Sequence, residues 1–195
     1  MTSRIAILDP RSSILDPRSW RFVSNFQLQL LFDKLLADNR ALFRCPSSGR
    51  AVKLGYHNSM NSMGERRLEV DRIMNATDPK YVWAVIDIAH MRTADGDPVQ
   101  FTRDYLNRLV YSHFKDVLIQ KTPPGLDGRP LRPKYDFVEL GQGVVNIPSV
   151  LQILKDFRYQ GWVIIELDRA TGGRTPKESA VISKKFVEER LKLKI

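Results

Sequence analysis

All three histidines of the chain, His57, His90 and His113, fall at or just beyond the C-terminal end of a predicted strand. Carboxylates recur beside them: Asp87 lies three residues before His90, Asp116 three after His113, Glu166 and Asp168 close the last predicted strand, and Glu65 follows the first across the loop 58–64. In parallel α/β folds that rim is where ligands bind, because the βα loops converge there. Hard oxygen donors with an imidazole suit Mn2+, Mg2+ or Co2+, and a chain whose one cysteine is Cys45 offers no thiolate cluster. A divalent metal held by mixed carboxylate and histidine ligands is the chemistry these residues predict. The competing reading is that the same groups cap helices and pair with arginine and lysine.

The elements that must position them follow from hydrophobic rhythm. Strands are predicted over residues 51–56, 81–88, 109–113, 137–140 and 162–167, with helices over 66–74, 98–107, 148–157 and 176–193. An amphipathic helix is predicted over 25–43, and the Pro- and Gly-rich stretch 121–134 reads as a long loop. Alternating strands and helices imply right-handed crossovers and a parallel sheet, so the fold class is α/β. About four βα units can be counted, whereas a complete (β/α)8 barrel takes eight and about 250 residues. The expectation is therefore a partial TIM barrel, its C-terminal half, as one domain over 24–195. Residues 1–23 read as an irregular arm, in which Ile7-Leu8-Asp9-Pro10-Arg11-Ser12 recurs as Ile14-Leu15-Asp16-Pro17-Arg18-Ser19. Open sheet edges call for a covering partner, a second copy or another chain.

Composition bounds the function. With 43% hydrophobic and 27% charged residues the chain is globular, not disordered or fibrous. Its apolar runs fall far short of the roughly 20 residues that span a bilayer, and no signal-peptide core opens it, so a cytoplasmic location without a membrane partner is expected. The net charge of +9 comes from 31 basic residues scattered among 22 acidic ones. Such scatter argues for a solvated surface or small anions over a nucleic-acid partner.

The segments Leu54-Gly55-Tyr56-His57-Asn58, Val85-Ile86-Asp87-Ile88-Ala89-His90, Gly96-Asp97-Pro98, His113-Phe114-Lys115-Asp116-Val117, Val138-Glu139-Leu140-Gly141-Gln142-Gly143 and Gly161-Trp162-Val163-Ile164-Ile165-Glu166-Leu167-Asp168 occur in that order. Together they resemble the sugar phosphate isomerase/epimerase family, which has the xylose isomerase-like TIM barrel and includes inosose dehydratases. The resemblance implies one divalent metal, Mn2+ first, held by Glu65, Asp87, His113 and Glu166. It implies that His57, His90 and Lys115 contact a sugar or polyol substrate. Glu65 and Glu166 would be the pair that removes and returns a proton through an enediolate. A dehydratase is the chemical variant, in which the same species expels a β-hydroxyl.

Two departures from the family pattern motivate an alternative. Ser59 stands where a second histidine is usual, and residues 1–50 do not read as the barrel's first four βα units. The alternative is a catalytically inactive half-barrel serving as an oligomer or interaction module. Gly141-Gln142-Gly143 is read as a tight turn in preference to a phosphate cradle, and Glu139 either orients a ligand or ends a strand.

Overall fold

A computed structural model describes the protein over residues 5–7, 54–62, 64–129 and 131–195, with the backbone alone at 5–7 and 54. The predicted helix over 25–43 and most of the 1–23 arm, its heptad repeat after Ile7 included, lie outside the described residues.

The central sheet has five strands, β1 (Ile5–Ile7), β2 (Leu54–His57), β3 (Val82–Asp87), β4 (Leu109–Phe114) and β7 (Trp162–Ile165), in the order β1-β7-β4-β3-β2 with every pairing parallel. This is the α/β class expected. The arm, read as irregular, contributes β1, and it does so beside the last strand. A first strand next to the last is the pairing that closes a (β/α)8 barrel. A three-residue segment such as Ile5-Ala6-Ile7 is too short for a periodicity argument to detect.

Helices α1 (Arg67–Ala76), α2 (Ile88–Thr93), α3 (Pro98–Tyr105), α4 (Ile147–Asp156) and α5 (Pro176–Lys185) follow or connect the strands. Local chemistry starts each one. Asp97 and Asn146 cap α3 and α4 ahead of a proline in the first turn, and Thr175 with Glu178 forms a capping box on α5. The end of α1 is closed by a distant residue: the Arg108 guanidinium donates to the carbonyls of Met74, Thr77 and Val82. Between sheet and helices lies a core that includes Ile86, Ile88, Met91, Phe101, Phe114 and Ile147, all at most 2% exposed. Each such side chain contributes about 1.5–3 kcal/mol through burial. The central strand β3 is buried almost throughout, as a parallel strand covered on both faces must be.

One prediction is corrected. The strand expected at 137–140 as a sheet member is β6 (Lys134–Val138), which pairs antiparallel with β5 (Asp116–Gln120) in a separate hairpin. The stretch 121–134 is the connection of that hairpin. Val117 faces Phe137 and Ile119 faces Tyr135 across the ribbon, and these apolar pairs lie against the core. The apolar alternation in β5 is only two residues long, which hid it behind β4.

Candidate metal centre

Asp87 ends β3 and also caps α2, and the two tasks divide its carboxylate. Oδ1 accepts the backbone N–H groups of Ala89 and His90, both at 2.9 Å. Oδ2 is left fully buried with no hydrogen-bond partner among the described residues. It faces three imidazoles: His57 Nε2 at 3.8 Å, His90 Nε2 at 3.7 Å and His113 Nδ1 at 3.8 Å. The backbone of Asp87 is gripped by Asn58, whose side-chain amide donates to the Asp87 carbonyl at 3.0 Å and accepts from its N–H at 2.9 Å. The Asn58 side chain thus continues the β2–β3 ladder past the last residue of β2. Sheet register does the rest, setting Asp87 opposite His113.

A buried carboxylate oxygen with no donor is costly unless something else meets it. His57 Nε2, Asp87 Oδ2 and His113 Nδ1 all lie within 4.8 Å of one another, with separations of 3.2, 3.8 and 3.8 Å. A point equidistant from three atoms so spaced lies about 2.1 Å from each, within the range of about 2.0–2.2 Å that zinc takes to imidazole nitrogen and carboxylate oxygen. Glu166, just beyond β7, places Oε2 2.5 Å from His113 Nδ1. Lys115, with a side chain 1% exposed, binds Glu166 Oε1 at 3.2 Å and Asp168 Oδ1 at 2.6 Å. With the imidazoles neutral, three carboxylates against one ammonium leave a double negative charge, which a divalent cation would neutralise. The residues present therefore fit a divalent metal.

Electrostatics prepare them for it. Desolvation within the rim pushes His57 down to about 4, so at neutral pH its imidazole is uncharged. Burial would lower His113 too, but Asp87 and Glu166 overcome it and lift the group to about 9. Burial acts to raise Glu166, and the His113 and Lys115 charges instead hold it well below the usual carboxylate range. His113 thus carries a proton that an ion must displace. At pH 7.5 metal binding is expected to release about one proton, with affinity rising about tenfold per pH unit and levelling near pH 9. Calorimetry in buffers of different ionisation enthalpy reads this directly. Affinity flat across that interval would place the proton elsewhere.

The structure brings together His57, His90, Lys115, Asp87, His113 and Glu166 from the sequence-derived set. It holds Glu65 apart: its carboxylate accepts from the Arg132 guanidinium and, at 2.9 Å, from the Asn61 N–H. His57 occupies the place in the donor group that the resemblance gave to Glu65. Residues the sequence reading passed over are Asn58, which had a signal in its place directly after His57, and Phe137. The Phe137 ring lies edge-on to His90 with centroids 5.0 Å apart and under Lys115 Nζ at 4.3 Å. Hairpin geometry alone brings Phe137 there, so periodicity could not find it.

Two rim carboxylates prove structural. Glu139 is fully buried among Arg174, Thr171 and Ser179, tying the loop before α5 to that helix. Asp116 accepts the N–H groups of Gly141 and Gly143, so that turn offers no amide cradle to a phosphate.

Residues 44–189 match the family model described as xylose isomerase-like TIM barrel, and the chain belongs to this family. It is 31% identical over 150 residues to the inosose dehydratase of Salmonella typhimurium, covering 75% of this chain and 50% of that one. Among solved structures it is similar to a sugar phosphate isomerase/epimerase from Parabacteroides distasonis, with a TM-score of 0.58 and 17% identity over 87% of this chain and 56% of that one. It is also similar to the IOLI protein, whose structure holds a zinc atom, with a TM-score of 0.54 and 17% identity over 87% of this chain and 58% of that one. The chain spans about half the length of the curated relatives it matches. Among the described residues no helix is long and apolar enough to cross a membrane.

Proposed function

We propose that this chain carries the site of a divalent-metal-dependent enzyme that removes a proton from the carbon beside the carbonyl of a keto-polyol, a sugar or a sugar phosphate. The observation that carries the reading is the partnerless Oδ2 of Asp87, buried and aimed at three imidazoles. His57, Asp87 and His113 would hold the ion. When bound, the ion supplies a Lewis acid that polarises the substrate carbonyl. Two imidazoles with carboxylates suit Mn2+, Co2+ and Zn2+, and we place Mn2+ first because of the carboxylates around the site.

The remaining steps belong to side chains. Asp87 is closed off, whereas the Glu166 side chain is 34% exposed, so proton removal falls to Glu166. Lys115, itself held by Asp168, fixes the orientation of that carboxylate and with His113 keeps it ionised. His90 Nδ1 accepts from the Met60 N–H at 3.3 Å, which assigns the ring proton to Nε2, on the side of Asp87 and the site. His90 can therefore donate to a substrate hydroxyl.

Epimerisation through Glu65 and Glu166 needs a base on each face, and Glu65 is engaged by Arg132. One carboxylate base with an imidazole N–H donor suits elimination instead, in which the base takes a proton and the donor protonates a departing β-hydroxyl. The similarity to inosose dehydratases supports this dehydratase outcome over the isomerase/epimerase one. The test is incubation of the Mn2+-loaded protein in D2O with a panel of inososes, ketoses and ketose phosphates, followed by NMR. Deuterium at the carbon beside the carbonyl is expected, with loss of water from the inososes and none after chelation. No exchange with any substrate by an ion-loaded protein would overturn the reading in favour of an inactive half-barrel.

A further inference from the structure

The β5–β6 hairpin leaves the rim after β4 and reaches across to the loop 58–65 that follows β2. Two sets of contacts fasten it. Near its base Phe137 lies on His90 and Lys115. Further out Arg132 donates through one nitrogen to Asn61 Oδ1 at 3.1 Å and through the other to the Glu65 carboxylate. Glu65 is only 8% exposed, and Arg132 meets it from a half-exposed position. The same loop supplies the Met60 N–H that holds His90. Among the described residues the Arg132 side chain thus joins the hairpin to the loop, and each of the two elements touches His90 on its own.

We propose that the hairpin is a strap across the metal-bearing rim and that Arg132 is the positioning residue that fastens it. The strap governs how fast an ion or substrate enters and leaves, and takes no part in ligation. This inference rests on the reading of the rim as a metal site. Asn61 has a positive φ of 63°, and its side chain and the Glu65 carboxylate are both engaged by Arg132, so the contact closes on a loop that its own hydrogen bonds already hold.

The test compares the full-length protein with Arg132→Ala and Arg132→Lys. Hydrogen exchange by mass spectrometry is expected to be about fivefold faster in 58–65 and 134–138 with alanine, and partly restored with lysine, which can reach Glu65 but not grip both partners. Chelator-driven loss of Mn2+ is expected to accelerate about fivefold with alanine, while the equilibrium affinity stays within about twofold because on and off rates rise together. Exchange unchanged in both segments, or raised uniformly along the chain, would overturn the strap. A large fall in affinity at an unchanged off-rate would also overturn it. Should the wild-type protein bind no ion, the metal reading fails, and the hydrogen-exchange arm still decides whether Arg132 fastens the hairpin.

Discussion

Replacing Asp87 by asparagine is expected to lower affinity for a divalent ion by about a hundredfold or more while destabilising the metal-free fold only modestly. Both halves follow from the divided carboxylate. The asparagine oxygen can still accept from Ala89 and His90, so the α2 cap survives. The atom replaced is Oδ2, which accepts no hydrogen bond among the described residues; burial acts against its charge, but His113, His90 and Lys115 outweigh that and hold the group ionised, so removing it costs the metal-free fold part of this pairing. An amide nitrogen at that position cannot ligate a cation. Removing the charge also withdraws one of the two carboxylates that hold the His113 proton, so His113 should titrate lower in the variant. Calorimetric titration, thermal unfolding and NMR of the imidazole resonances read the three effects separately. Intact affinity in the variant would remove Asp87 from the donor group, and a large loss of stability would make it a structural cap only.

That Asp87 and His113 could be picked out from the sequence follows from their places at strand ends. A parallel sheet converts position at a strand's C-terminal end into convergence on one rim, so residue type and strand prediction together gave the neighbourhood. His57 was also legible as a rim residue, but not its place among the donors. Deciding between His57 and Glu65 requires the path of the loop 58–65, in which the Glu65 carboxylate is engaged by Arg132, 67 residues further along the chain. Contact between a loop and a distant arginine leaves no periodic trace. The elements show the same division: β3, β4 and α3 carry long apolar patterns and fell within two residues of their predicted bounds. The hairpin and β1 depend on pairing partners remote in sequence, and strand propensity over three to five residues is too weak to foresee them.

Asp116 lies three residues from His113 and could pass for a ligand, yet its largest expected effect is on the fold. Its Oδ1 accepts from Val117 and Val145 and its Oδ2 from Gly141 and Gly143, at 2.9–3.1 Å, while the side chain is buried. The turn can approach so closely only because residue 143 is glycine: a Cβ there would lie 2.1 Å from Oδ1. At Gly141 the positive φ of 84° disfavours any side chain, and a Cβ would meet the Phe186 ring at 2.2 Å. This carboxylate therefore ties the start of β5 to the turn that leads into α4. Asp116→Asn keeps one acceptor oxygen and turns an NH2 group against two backbone N–H donors. Each lost charge-assisted bond is worth about 1.5–3 kcal/mol, so a destabilisation of about 3–5 kcal/mol is expected, lowering the unfolding midpoint by about 10 °C. Urea and thermal unfolding measure it. Below its midpoint the variant should still bind the ion, since His57, Asp87 and His113 are untouched. A stability loss under about 1 kcal/mol would mean that water can replace the carboxylate, and loss of ion binding in the folded variant would return Asp116 to the site.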